Sequence, residues 1–136
     1  MGEIGEMEGK TLSFEDLEVW KKCRELRNNV EKIIKNFPKN EQFKLIDQMI
    51  RASRSVTANI AEGYGRYHYQ ENIQFCRQAR GSLYELLDHF TVALDEGYIN
   101  KNEFNKFRER ILDCIKILKG YIKYLKNRKD HEFQIT

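Results

Sequence analysis

The chain has 136 residues, a third of them charged, with one proline and eight glycines; this is one domain with a real core, burying about two-thirds of its unfolded surface on folding. Scarce proline and abundant lysine and glutamate favour helix, and no apolar run approaches the roughly 20 residues of a membrane span. The net charge of +3 and a pI near 8.7 fall below the pI of about 9 that flags nucleic-acid binders, so the distribution of charge has to decide the partner.

Residues 1–12 are expected to be a disordered lead. Met1 to Lys10 is rich in glycine and glutamate and lacks the apolar core of a signal peptide, and Glu6 stands where a myristoylation motif needs Ser or Thr. Ser13 is a good helix N-cap, and Asp16 three residues on resembles a capping box. Leu17, Trp20, Cys23, Leu26 (or Arg27), Val30, Ile33, Ile34 and Phe37 then follow a helical period, predicting a first helix from about Phe14 to Asn36, ended by Pro38. Asn40 is the expected cap of a second helix. Its inward face is Phe43, Ile46, Met49, Ile50, Ser53, Val56, Ile60 and Tyr64, and Gly63 and Gly65 end it.

The third helix is expected from about His68 to Glu96, with Ile73, Cys76, Ala79, Leu83, Leu87, Phe90 and Leu94 as its stripe. Gly81 interrupts it, at about 1 kcal/mol against alanine. Either this is tolerated local weakness or a close helix–helix contact, with Ser53, Ala58 and Ala61 opposite; the contact is the favoured reading. Gly97 reads as the residue after the helix end, and Asn100 with Glu103 as the next capping box. The fourth helix then runs from about Lys101 to Arg128, leaving 129–136 as an aperiodic, flexible tail. Short connections make neighbours antiparallel and predict an all-α, up-down-up-down four-helix bundle over residues 13–128. Cys23, Cys76 and Cys114 are odd in number, far apart and on apolar faces. Buried reduced thiols in a cytoplasmic protein are the simple reading, and a disulfide is the alternative.

The fourth helix carries three strips at about 100° per residue. Ile111, Ile115, Leu118, Ile122 and Leu125 form a bundle seam; Cys114, Ile117, Tyr121 and Tyr124 lie beside it; Lys116, Lys119, Lys123 and Lys126 lie on its other side. The apolar arc is wider than one core needs, so Ile117, Tyr121 and Tyr124 are candidates for an oligomer interface, unless the tyrosines lie flat on the surface. From Lys116 to Lys129 there are six basic residues and no acidic one. A lysine row is usually a solvated face, but repeated around an oligomer it can bind RNA or DNA phosphates. Arg51, Arg54 and Arg66 on the second helix, with Arg77 and Arg80 on the third, add positive sites.

Catalytic motifs are missing. Two Glu-x-x-His motifs for a di-metal bundle site do not occur; Glu85 and His89 are four apart, and His68 and His131 lie elsewhere. There is no Cys-x-x-Cys pair, nucleophile elbow or Walker loop. The backbone of Gly63-Tyr64-Gly65-Arg66, before the third helix, could hold a phosphate, but helix capping explains these glycines with less. No metal, cofactor, small-molecule substrate or enzymatic activity is expected.

Several segments together resemble a four-helix-bundle family encoded in the intervening sequences of bacterial 23S rRNA genes. They are Phe14 to Trp20, Arg51-Ala52-Ser53, Ser55-Val56, Ala58-Asn59-Ile60-Ala61-Glu62-Gly63-Tyr64-Gly65-Arg66, Gly81-Ser82-Leu83, Glu85-Leu86 and Gly97-Tyr98-Ile99. One departure is Thr57, where many members carry proline. The resemblance spans about Phe14 to Leu125 and implies a homopentamer without enzymatic activity. It implies that Asn59, Glu62, Gly63, Gly65, Gly81, Ser82 and Glu85 are a structural signature, Asn59 and Glu62 reaching Ser82 or Arg80 across the helix 2–helix 3 contact. The family is also similar to the accessory variability-determinant proteins of diversity-generating retroelements, pentameric bundles that bind a reverse transcriptase and its template RNA. The expected function is a non-enzymatic oligomeric adaptor that binds structured RNA, and a partner such as a reverse transcriptase. Lys116, Lys119, Lys123 and Lys126 are the first candidates for RNA contact, and Arg51, Arg54 and Arg66 the second. The alternative is a protein–protein scaffold with no nucleic-acid role.

Overall fold

The computed structural model describes residues 13–135; the lead expected over 1–12 lies outside the described residues. Within that span are four α-helices and no strand: α1 (Glu18–Ile33), α2 (Leu45–Tyr64), α3 (Tyr69–Asp95) and α4 (Lys101–Ile135). α1 packs on α2, α2 on α3, α3 on α4, and α4 returns to α1. Met49, Ile60, Leu83, Phe90, Ile111 and Leu118 are sealed from solvent in one common core, a burial of about 1.5–3 kcal/mol for each large apolar side chain. The rings of Phe90 and Phe107 stack at 4.5 Å between α3 and α4.

The helix ends show which local signals hold. Ser13 caps a separate 3-10 turn, Phe14–Asp16, not α1: its Oγ accepts the Glu15 N–H at 3.1 Å, and α1 starts after an extended Leu17. At the other end Ile34–Asn36 tightens to 3-10 before Pro38. Asn40 does not cap α2. It sits in a 3-10 turn, Lys39–Glu41, and α2 begins only at Leu45, whose N–H meets the Glu41 carboxylate at 3.4 Å. Phe43 is therefore left in the connection, 88% exposed, and its expected inward position is corrected. The fourth helix does not stop at Arg128 but continues through 129–135, so this stretch is helix and not an aperiodic tail.

The α3–α4 connection follows the sequence reading closely. Gly97 adopts φ +77°, a conformation that suits glycine. Its N–H donates to the Leu94 carbonyl at 3.0 Å, and the Tyr98 N–H donates to that of Ala93 at 2.9 Å, the Schellman pattern. Asn100 and Glu103 cap each other, Asn100 N–H to Glu103 Oε1 at 3.0 Å and Glu103 N–H to Asn100 Oδ1 at 2.8 Å. The Tyr98 hydroxyl donates to Glu41 Oε2 at 2.7 Å, tying this connection to the one between α1 and α2.

The glycine that marks a close helix–helix contact is not Gly81. A Cβ added at Gly81 would meet nothing within 4 Å, because that face of α3 is open. At Gly63, inside the last turn of α2, it would lie 2.7 Å from Asn72 Oδ1, 2.8 Å from Phe75 Cβ and 3.1 Å from the Asn72 carbonyl oxygen. Ala58 and Ala61 instead line a groove with Phe14 and Trp20. The cysteines are buried, and no disulfide occurs among the described residues. The sulfur hydrogen bond between Cys23 and Cys114, together with burial, pushes the Cys23 thiol well above its ordinary range.

Gly63→Ala is expected to lower the unfolding free energy by about 1–3 kcal/mol through overpacking, and Gly81→Ala to raise it by up to about 1 kcal/mol, both read from urea denaturation. The opposite order would put the tight contact at Gly81.

The Glu41 carboxylate, as hydrogen-bond acceptor, pushes Tyr98 up to about 12, with burial adding to it. An unfolded tyrosine ionises near about 10. The bond's contribution to stability is therefore complete below about pH 10 and disappears as the pH rises through about 12. Subtracting the ultraviolet titration of Tyr98→Phe from that of the intact protein isolates this group. Glu41→Gln is expected to bring its ionisation back toward about pH 10; a curve unmoved by that change would contradict the bond.

Candidate nucleic-acid interface

The polar residues of the expected signature separate into two sets. Asn59 Nδ2 donates to the Ser55 carbonyl at 2.9 Å and to Ser55 Oγ at 3.0 Å, and Ser55 Oγ lies 2.9 Å from Ser82 Oγ on α3. Asn59 thus reaches Ser82 only through Ser55, one turn earlier on α2, and not directly as expected. Glu62 takes no part in this contact; it points to the exposed side and holds Arg66 at 3.0 Å. Glu85 is also exposed and meets His89 Nε2 at 3.3 Å, which gives that histidine a local partner. Gly65 serves as the C-cap of α2, whereas Gly63 is the point of contact with α3.

The four candidate lysines, Lys116, Lys119, Lys123 and Lys126, are all exposed along α4. None forms an ion pair among the described residues. They recur about once per helical turn, over a length of about 15 Å. Lys129 extends the basic run and donates to Gln70 Oε1 on α3 at 2.6 Å.

The three arginines are placed differently. Arg51 pairs with Asp47 at 3.0 Å on its own helix, and Arg66 with Glu62 while its guanidinium sits 4.8 Å from the Phe75 ring centroid. Arg54 bridges to α1, with Nε and Nη2 each 3.1 Å from the Glu31 carboxylate, and holds that carboxyl below its usual range. Beside it Arg27 Nη1 donates to Thr57 Oγ1 at 3.1 Å, so Thr57 supplies a cross-helix acceptor at the position where the resemblance expected proline. Exposed pairs of this kind add little to stability, yet each offsets the positive charge a phosphate would meet.

The broad apolar arc of α4 is largely used within the chain. The seam from Ile111 to Leu125 is buried, and so is Cys114 from the second strip. Tyr121 is corrected from its expected place at an oligomer interface: it is 2% exposed, and its hydroxyl accepts from Asn72 Nδ2 at 3.4 Å. α4 is covered by both α1 and α3, which explains a wider arc than one neighbour would need. Ile117 and Tyr124 remain half-buried at the edge. Ile117 lines a groove between α1 and α4 with Lys22, Glu25, Asp113 and Lys116.

Gly63 to Arg66 close the end of α2, the capping role that the sequence reading favoured over a phosphate site. The Gly65 N–H is shared by the Ala61 and Glu62 carbonyls, and the Arg66 N–H is taken by that of Gly63. Among the described residues no group of three His, Cys, Asp or Glu side chains could hold a metal ion, and no helix is long and apolar enough to cross a membrane. Sequence reasoning missed two residues here. Asn72 stands just before the apolar Ile73 and one turn from Cys76, a position that signals a buried amide. Tyr67 is an aromatic in a connection, where no helical period asks for one.

Ser55→Ala and Ser82→Ala, made singly and together, are expected to show a coupling of about 0.5–1.5 kcal/mol in a double-mutant cycle. Strict additivity of the two unfolding free energies would mean that the hydroxyls do not interact.

No curated protein matches the chain. A family described as 23S rRNA-intervening sequence protein matches residues 15–120. The match takes in α1, α2, α3 and the first part of α4, with the polar α2–α3 contact and Lys116 and Lys119, and stops before Lys123 and Lys126. The chain belongs to the 23S rRNA-intervening sequence protein family.

Proposed function

We propose that this protein is a non-enzymatic adaptor that binds structured RNA through the lysine face of α4. One observation carries the reading: Lys116, Lys119, Lys123 and Lys126 are exposed in a row with no ion pair among the described residues, while Arg51, Arg54 and Arg66 are each matched by a carboxylate. Cations left without a carboxylate are the ones that can exchange counterions for phosphates. Membership of a family named for an rRNA intervening sequence supports RNA as the polyanion. The arginines become secondary contacts, because a phosphate would have to displace Asp47, Glu31 or Glu62.

The proposed architecture is an up-down-up-down bundle assembled as a homopentamer. Arg27 with Thr57 and Glu31 with Arg54, then Ser55 with Ser82, then Phe90 with Phe107 and Asn72 with Tyr121, are pairings that suit antiparallel neighbours. Half-buried Ile117 and Tyr124 are the interface residues this assembly would use, and a ring would repeat the lysine face around its axis. A protein partner such as a reverse transcriptase is part of the same proposal. A protein–protein scaffold is the second reading. Phe43, exposed in the α1–α2 connection, and a groove of about 620 Å³ lined by Ile34, Phe37, Ile46 and Ile50 favour it.

Replacing the four lysines by glutamate is expected to abolish binding of a hairpin RNA at physiological salt while leaving the urea denaturation curve in place. In the intact protein, four phosphate contacts give a salt slope of log K against log salt of about −3 to −4. An affinity unchanged by the four substitutions would remove this face from the function, and a chain that binds no hairpin at low salt would leave the scaffold.

A further inference from the structure

The connection between α2 and α3 presents Tyr67, whose side chain is 91% exposed. A tyrosine so placed gives up the burial that normally rewards an aromatic ring, and its ring meets that of His68 edge-to-face, at 4.7 Å and 83°. Beside it a cleft of about 240 Å³ opens between this connection and α4. Tyr67, His68 and Tyr124 stand on its walls, and Asn72, Tyr121 and Leu125 are its buried members. The Tyr121 and Tyr124 rings lie within 20° of parallel, with centroids 6.2 Å apart. Arg66 also lines the cleft, its guanidinium held by Glu62 and by the face of Phe75. Lys129, bonded to Gln70, brings a further cation to the start of α3.

We propose that this cleft receives one unpaired base of a bound RNA, stacked on Tyr67, while Lys129 faces a flanking phosphate and Arg66, matched by Glu62, bounds the cleft. The proposal rests on the RNA reading above and adds a selectivity to it. Aromatic faces beside cations are the usual means of holding single-stranded bases, since every base has a face to stack. The space is smaller than the roughly 300–1,000 Å³ of a pocket for a drug-sized ligand, so it suits a single ring system and excludes a duplex. A base inside a helix has both faces covered by its neighbours. The lysine face would then supply affinity for any RNA, and the cleft a preference for RNA with a bulge, loop or end.

The test uses the full chain and two RNAs that carry 2-aminopurine at the same position, one single-stranded and one fully paired. Stacking on Tyr67 is expected to quench the probe in the single strand. Tyr67→Ala is expected to abolish the quenching and weaken single-strand binding about five- to 150-fold, and Tyr67→Phe to keep both. Affinity for the paired RNA is expected to be the same in all three. The exposure of Tyr67 makes either substitution harmless to folding. Single-strand binding by Tyr67→Ala equal to that of the intact protein, with the four-lysine variant unable to bind, would overturn the cleft and leave the RNA reading standing. Failure of the intact protein to bind either RNA would overturn both. An altered sedimentation coefficient in Tyr67→Ala with unchanged RNA affinity would make this end a protein interface and also overturn the proposal.

Discussion

The approach of α2 to α3 at Gly63 is the constraint on which the rest of the molecule depends. With no Cβ, the α2 backbone comes close enough that even a methyl group would collide with Asn72 and with Phe75 Cβ. Asn72 is therefore held 7% exposed, where its amide must find partners inside the protein. It finds the Tyr121 hydroxyl and the Cys76 thiol. One missing side chain thus sets the spacing of two helices, and the amide so buried helps to set the rotation of a third. The serine pair between Ser55 and Ser82, two turns back along α2, keeps the same helices in register at mid-length.

Lysine and arginine divide the positive charge of this protein by their chemistry. A guanidinium offers a planar fork that matches a carboxylate, and Arg54 uses it to join α2 to α1 through Glu31. An ammonium group on a flexible stem keeps its hydration, and the lysines of α4 stay in solvent. A formal excess of only three charges therefore conceals an uneven surface, with compensated arginines along α2 and an uncompensated row on α4. Field strength near a surface follows such local sums more than the total.

Local signals were legible in the sequence at the α3–α4 connection, though not at Ser13 and Asn40, which fall in 3-10 turns short of the helices they were expected to cap. The Asn100–Glu103 box and the turn at Gly97 need only a few neighbouring residues, and both form as the spacing suggests. The buried seam of α4 follows from its period in the same way. What was not legible depended on distant partners. Gly63 and Gly81 look alike as isolated glycines in helical surroundings; only the position of Asn72 and Phe75 distinguishes them. The second strip of α4 looked like spare surface because a sequence does not say that one helix will be covered from two sides. Phe43 matched the period of α2, but the 3-10 turn after Pro38 delays the helix beyond it. Asn59 and Ser82 were rightly placed at one contact, while the serine between them went unnoticed, since a serine in a helix carries no pattern of its own.

The order of packing also has a consequence for how the chain reaches this structure. Three of the four helix contacts join elements that follow one another in sequence, and only the return of α4 to α1 closes a long loop. Local contacts form at small entropic cost, so a chain built this way belongs among fast folders. The α3–α4 pair, with both ends of its connection capped, needs only a short loop closure. The α1–α4 closure, where Cys23 meets Cys114, spans the longest loop and on entropic grounds is expected to form last and open first. Weakening it accelerates unfolding and leaves the folding rate nearly untouched.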